Sequence, residues 1–339
     1  MGSPSLRALI VRRGLVASLK AMRGGGPPDP NSPEEELEAY ALNVRARMEE
    51  LAGRLPESGS ATSTVAEGAP VDGLWVVQDR AIIGHDPERA VFDPIARTSR
   101  VVLHLHGGAY CMGSPATHRG LGAALSRTAR AAVLLPDYRL APEHKFPAAL
   151  DDAHATYRWL TDGLGVPPSR IAVTGDSAGG GLGAALLVRL RDEGHDLPAC
   201  FAGMSPWMDL AGTGRSLLEL DEADPWLSAG MISPAAKGYA GDTPLDHPLV
   251  SPLYADLRGL PPVLVHVGTD EILLDDAVRF VAAAREHGIE ADLGRFRGLW
   301  HVFQAFPGVP ESRDSLREIG AFVRRHIADR GSVGLQAAS

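Results

Sequence analysis

Apolar residues change their spacing repeatedly along this chain, and each change predicts an element. Leu37, Tyr40, Ala41, Val44, Met48, Leu51 and Leu55 recur at steps of three and four, which predicts an amphipathic helix over residues 33–55. Ser32-Pro33-Glu34-Glu35 opens it with a serine N-cap, a proline at the first position and early glutamates. Short, mostly apolar runs predict strands at residues 74–77, 101–105, 132–135, 171–174, 200–204 and 262–267, with a late strand at 291–296 and a further short strand near 89–92. Between them lie helical patterns at 117–130, 148–161, 178–191, 274–287 and 311–326. Strands alternating with helices predict an α/β fold with a mostly parallel sheet covered on both faces. Gly24-Gly25-Gly26-Pro27-Pro28 is a break, and the polar, Gly/Ser-rich stretch 56–70 reads as a linker.

The alternation fails over residues 207–250, where Trp207, Met208, Trp226, Leu227 and Met231 are mixed with Gly and Pro. That stretch follows a strand end, where loops over the sheet's carboxyl edge carry function, and it is too apolar for a plain surface excursion. It predicts a cap. The expected organisation is therefore N-terminal helices contributing to the cap in 1–70, a core in 71–206 and 251–339, and a cap insertion in 207–250. The first helix carries Arg7, Arg12, Arg13, Lys20 and Arg23 with no acid before Asp29. Its arginines interrupt the apolar run, and Leu6, Leu9, Ile10, Leu15, Val16 and Leu19 scatter around it, so it reads as a helix packed on the body rather than a signal peptide or interfacial anchor.

Composition narrows the partners. The 339 residues carry a net charge of −9, which argues against nucleic acid or anionic lipid as a partner. No apolar run approaches the ~18 residues of a membrane span, so stable membrane insertion is not expected. Two cysteines, Cys111 and Cys200, form no disulfide framework and suggest a reducing compartment, hence a cytoplasmic location. No Cys/His spacing reads as a zinc site, so no metal is expected.

The candidate chemistry centres on Gly175-Asp176-Ser177-Ala178-Gly179-Gly180, placed between a strand and a helix of small residues. Gly-x-Ser-x-Gly in that setting is a nucleophile elbow: a sharp turn that tolerates only small neighbours and lifts the Ser177 hydroxyl above the sheet. Upstream, strand 101–105 ends in His106-Gly107-Gly108-Ala109-Tyr110. Acyl transfer through a serine builds charge on the former carbonyl oxygen, and the amides of Gly107, Gly108 and Ala178 are the expected donors to it. Downstream, an acid and then a histidine should follow. His301 alone among the later histidines sits in a loop after a strand and is the candidate acid–base. Asp270, just beyond the strand Val263-Leu264-Val265-His266-Val267, is the expected orienting acid; Asp209 is its rival.

These motifs, with Asp137-Tyr138-Arg139-Leu140-Ala141-Pro142-Glu143, Ser205-Pro206-Trp207-Met208-Asp209-Leu210 and Gly268-Thr269-Asp270-Glu271, resemble the hormone-sensitive lipase family of α/β-hydrolases in its bacterial carboxylesterase branch. They occur in order from Val101 to Phe303; the first 70 residues carry little of the likeness. The resemblance implies the α/β-hydrolase fold with a helical cap, a Ser-Asp-His triad working without metal or organic cofactor, and a small-molecule ester and water as reactants. It implies supporting roles for His106, Glu143 and Asp176 around the elbow and oxyanion loop, and a homodimer through the edge strand 291–296 and the last helix. The family's His-Gly-Gly-Gly here ends in Ala109, which bears on pocket space. Tyr110, Met112, Trp207, Met208, Leu299 and Trp300 are the expected pocket walls. Cys111-Met112-Gly113-Ser114-Pro115, Thr117-His118-Arg119 and Leu299-Trp300-His301-Val302 are similar to bacterial proteins described as monoterpene lactone hydrolases or acetyl esterases. Expected activities are thus hydrolysis of short- to medium-chain esters or of a cyclic terpenoid lactone. A ligand-binding protein on a hydrolase scaffold is the alternative from another class; the presence of Ser177, Asp270 and His301 speaks against it.

Overall fold

Strands that are apolar on both faces must be covered on both faces, and five of them set the architecture. The computed structural model describes residues 3–23, 32–54, 61–78, 95 and 98–328. β3 (Val101–Leu105), β4 (Ala132–Pro136), β5 (Ile171–Asp176), β6 (Cys200–Met204) and β7 (Val263–Gly268) are buried at every residue. With β1 (Ala61–Val65), β2 (Gly73–Gln78) and β8 (Ala291–Phe296) they form one eight-stranded sheet in the order β1-β2-β4-β3-β5-β6-β7-β8. β2 runs antiparallel to both its neighbours, β1 and β4, and every other pairing is parallel. The linker expected over 56–70 is therefore partly sheet, and a core boundary at residue 70 cuts between the first two strands. The strand expected near 89–92 lies outside the described residues.

Alternate residues of each strand feed two cores. Val101, Leu103, Leu105 and Val173 pack with α4 (Ala148–Arg158), α5 (Ala178–Asp192) and α8 (Leu274–Glu286). Val102, Val133, Leu135 and Ala202 face α3 (Pro115–Ala129) and α9 (Pro310–His326), meeting Leu125, Leu316, Ile319 and Phe322. α4 continues into a wider turn over Trp159–Gly163.

The remaining helices lie over the carboxyl ends of the strands. α1 (Leu6–Arg23) buries Ala8 and Leu15 against Leu299, Trp300, Phe303 and Val309, and so packs on the body as its sequence predicts. Its start is tied to the start of α9, where Ser5 donates through its amide (2.6 Å) and hydroxyl (2.9 Å) to Glu311. α2 (Glu34–Arg54) is the predicted amphipathic helix. The 207–250 segment contributes α6 (Ser216–Glu219) and α7 (Ala229–Ala240). No helix among the described residues is long and apolar enough to cross a membrane.

Candidate active site

β5 runs without a break into Ser177, whose backbone (φ 52°, ψ −124°) is strained for a residue with a side chain. The strain persists because the surroundings over-determine it: the Ser177 amide donates to the Met204 carbonyl, and its own carbonyl accepts from Gly180, Gly181 and Trp207. Only small residues fit. A Cβ at position 179 would lie 2.0 Å from the Leu105 carbonyl oxygen.

Ser177 Oγ lies 2.9 Å from His301 Nε2. On the other side of that imidazole, Nδ1 faces Glu271 Oε1 at 3.9 Å. Both atoms are buried and make no hydrogen bond among the described residues, and they face one another. Glu271 is held in that direction by its second oxygen, which accepts from Ser205 Oγ (2.8 Å) and the Gly268 amide (3.2 Å). Ser205 Oγ accepts in turn from the Val302 amide, so one hydroxyl fixes both the carboxylate and the histidine loop.

Asp270, the acid expected from the sequence, is turned the other way. Its carboxylate pairs with Arg12 of α1 at 2.7 Å and its side chain is 30% exposed. The chain beyond β7 sends consecutive side chains to opposite sides, Asp270 up to α1 and Glu271 down to the imidazole. The rival Asp209 is also removed: Thr213, Tyr254 and Arg279 occupy its oxygens. A third acid stands in the irregular insertion. Buried Asp224 accepts from the Trp226, Leu227 and Ile272 amides and acts electrostatically on His301. Burial by itself lowers the imidazole pKa, but Glu271 first and Asp224 next outweigh it, leaving His301 above its ordinary value.

The oxyanion loop also departs from expectation. The Gly107 amide is committed to Asp176 Oδ1 at 3.1 Å and cannot serve a substrate oxygen at the same time. The amides of Gly108, Ala109 and Ala178 have no protein acceptor among the described residues. Positive φ at Gly108, Ala109 and Tyr110 (125°, 52° and 61°) curls the loop. A Cβ at Gly108 would sit 2.0 Å from the Met112 carbonyl oxygen, so that glycine is sterically required. Counting donors one residue further along gives Gly108 and Ala109 in place of Gly107 and Gly108.

Asp176 anchors this loop from below. His104 Nε2 and His118 Nε2 lie 3.2 and 3.4 Å from its oxygens. Burial pushes the carboxyl up, yet the two histidines, His118 foremost, hold it below the ordinary carboxylate range. His118 is raised in return despite its own burial. His106 stacks on Tyr138 (centroids 4.1 Å apart), and burial pushes its pKa down to about 3. Being neutral, it donates from Nδ1 to the Gly107 carbonyl at 2.9 Å. Glu143 does not reach the elbow. It pairs with Arg45 of α2 (2.7 and 3.0 Å), and Arg45 also donates to the carbonyls of Cys111 (2.7 Å) and Ala141 (2.6 Å). Its support of the oxyanion loop thus runs through the helix above.

Over these groups lies a cavity of about 750 Å³. Gly108, Ala109, Ser177 and His301 line it below; Leu37, Tyr40, Ala41 and Met48 of α2 and Trp226, Leu227, Met231 and Ile232 of the insertion line it above. Of the expected pocket walls, Met112 and Trp207 are on the cavity. Tyr110 is instead buried in a stack with Tyr239 (3.7 Å), Met208 is buried in the same core, and Leu299 and Trp300 pack under α1. An apolar residue beside a catalytic motif is as readily core as pocket, which is why adjacency in sequence misassigned these four.

Sheet order, elbow and a serine–histidine pair at the carboxyl ends of parallel strands together define a serine hydrolase of the α/β class. Comparison with known proteins agrees. Residues 102–305 match the family model described as the alpha/beta hydrolase fold. An acetyl-hydrolase of Streptomyces hygroscopicus is 42% identical over 73% of this chain and 82% of its own length. An esterase of Acinetobacter venetianus is 39% identical over 67% of this chain and 75% of its own. Among solved structures, an esterase/lipase from an uncultured bacterium superposes with a TM-score of 0.82 at 35% identity, covering 96% of this chain and 99% of that one. An esterase from the bacterial hormone-sensitive lipase family superposes with a TM-score of 0.80 at 37% identity, covering 96% and 100%. The chain belongs to the α/β-hydrolase fold family, among the esterases of the bacterial hormone-sensitive lipase type.

Proposed function

We propose that this esterase hydrolyses short- to medium-chain acyl esters through an acyl-enzyme, with Ser177, His301 and Glu271 as its triad. The observation that carries the reading is the 2.9 Å contact between Ser177 Oγ and His301 Nε2 on the floor of the cavity. Ser177 attacks the ester carbonyl as His301 takes its proton. The amides of Gly108, Ala109 and Ala178 receive the oxyanion, and His301 then protonates the departing alcohol. Water activated by the same histidine releases the acid, while Glu271 stabilises the imidazolium and fixes its tautomer. A cavity of 750 Å³ lies within the range of roughly 300–1,000 Å³ typical of small-molecule sites and suits a compact ester. The acetyl-hydrolase relative supports a short acyl group. Buried free Cys111 and Cys200 support the cytoplasm as its compartment, and the open outer side of β8 among the described residues supports a homodimer.

The test is hydrolysis of p-nitrophenyl esters from acetate to palmitate, and of a monoterpene lactone, by the wild type and Ser177→Ala. Turnover peaking at short chains and lost by roughly 10⁴-fold or more in the variant is expected. Turnover confined to the lactone would move the substrate class to cyclic esters, and retained turnover in a folded Ser177→Ala would overturn the mechanism.

A further inference from the structure

α5 carries the nucleophile at its amino end. A second cluster of chemistry stands at its other end, about 22 Å away along fifteen residues at ~1.5 Å each. Glu193 follows the last turn of α5. Gly194 (φ 75°) then folds the chain back, with the His195 amide donating to the Leu190 carbonyl. This turn sets His195 beside Glu193, and the packing of α4 on α5 brings up His154. The two imidazole rings lie 5.7 Å apart, and both Nε2 atoms face one carboxylate oxygen: Glu193 Oε2 is 2.7 Å from His154 and 3.4 Å from His195. The contact to His154 is close but poorly aligned for a hydrogen bond, and its Nε2 is shielded from solvent. Two nitrogens and an oxygen, all within 4.8 Å of one another, thus converge on a common point.

The geometry points to a zinc site at His154, Glu193 and His195, with water as fourth ligand, clasping α4 to α5. Tetrahedral zinc at ~2.0–2.1 Å from each atom needs them roughly 3.4 Å apart, which small side-chain rotations supply. Imidazole nitrogens select a borderline transition dication over calcium or magnesium. Arg189 donates to Glu193 Oε1 at 2.8 Å, which leaves Oε2 turned toward the histidines, as a supporting group around a metal should. Charge favours a cation. Arg158 and Arg189 are each matched by an aspartate, Asp162 and Asp151, so Glu193 leaves the cluster net negative. The carboxyl end of a helix adds its dipole. The side chains of His154, Glu193 and His195 are 17%, 38% and 27% exposed, so an ion can enter from solvent.

One contact opposes binding. Arg158 donates to His195 Nδ1 at 2.7 Å, which places that ring's proton on Nε2, the ligand atom. Zinc must move the proton to Nδ1 and turn Arg158 onto Asp162 alone. Removing Arg158 should therefore tighten the site.

Calorimetric titration of chelator-treated full-length protein with Zn²⁺ tests this, comparing the wild type with a His154→Ala/His195→Ala variant whose fold is checked by circular dichroism. One zinc bound with Kd on the order of micromolar, absent from the variant, is expected. At zinc about a hundredfold above Kd, Tm should rise by roughly 5 °C in the wild type but not in the double variant, and Mg²⁺ should do nothing. Arg158→Ala should bind zinc severalfold more tightly, and Glu193→Gln more weakly with its volume preserved. Esterase turnover should be the same in all three variants and the wild type. Identical zinc isotherms for the wild type and the double variant, or no binding below millimolar zinc, would overturn the assignment.

Discussion

The floor and the roof of the cavity are held by different physics. On the floor, Ser177, His301 and Glu271 are fixed by buried hydrogen bonds and main-chain contacts: Ser205 to Glu271, Val302 to Ser205, and Ser177 to Met204. The roof combines apolar packing of α1 and the insertion with charged side chains near solvent. Arg12 joins Asp270, and Arg45 joins Glu143 and two carbonyls. The adjacent residues Asp270 and Glu271 divide between the two, one tying down the roof and the other facing the chemistry. The floor needs positional accuracy and the roof needs adhesion, so equal chemical changes should have unequal effects.

The sharpest break is therefore between those neighbours. Glu271→Gln keeps the shape but removes the charge facing His301, and kcat should fall by roughly 10³–10⁴-fold. Asp270→Asn should cost less than about threefold; steady-state kinetics on p-nitrophenyl acetate distinguishes them, and the reverse ranking would restore Asp270 as the acid. A pH profile sharpens the same contrast. His301 must be neutral to accept the serine proton, so kcat/KM falls as pH drops through its raised pKa. Glu271 is the leading cause of the elevation against burial, so in Glu271→Gln the acidic limb should move to lower pH, while in Asp270→Asn it should stay. A smaller effect belongs to Arg45→Ala. Its ion pair with Glu143, which is 44% exposed, is screened, so most of the loss comes from the two carbonyl hydrogen bonds. About 2 kcal/mol of stability should go, lowering Tm by several degrees, with turnover reduced only severalfold as the oxyanion loop loosens.

What was legible in the sequence divides along similar lines. Buried parallel strands announce themselves as apolar runs, while β8, an edge strand interrupted by Asp292 and Arg295, still falls on 291–296 as expected. β1 does not, because Ala61-Thr62-Ser63-Thr64-Val65 is a half-exposed edge strand without an apolar face; its run of Thr and Val was the available signal. The elbow was readable because its backbone strain demands small residues at fixed offsets. The acid was not, since Asp270 and Glu271 differ by one step around a turn, and only the direction of that step decides which faces His301. The oxyanion donors slipped for a similar reason: two glycines mark the loop, but Gly107 is spent on Asp176, a partner 69 positions away. The buried Asp224, inside a segment without regular pattern, left no sequence signal beyond its position in the insertion.

Ser5, held by Glu311, has a practical consequence for anyone attaching this enzyme to a surface or a fusion partner. Ser5 and α1 are stitched in beside the loop that carries His301, so a load hung on Ser5 would pull on α1 and on the Arg12 contact over the cavity. The other end of the described chain leaves near His326, 3.7 Å from Glu290 at the start of β8, on the side of the sheet opposite the substrate entrance. Immobilisation through a side chain beside His326 should keep the entrance facing the medium.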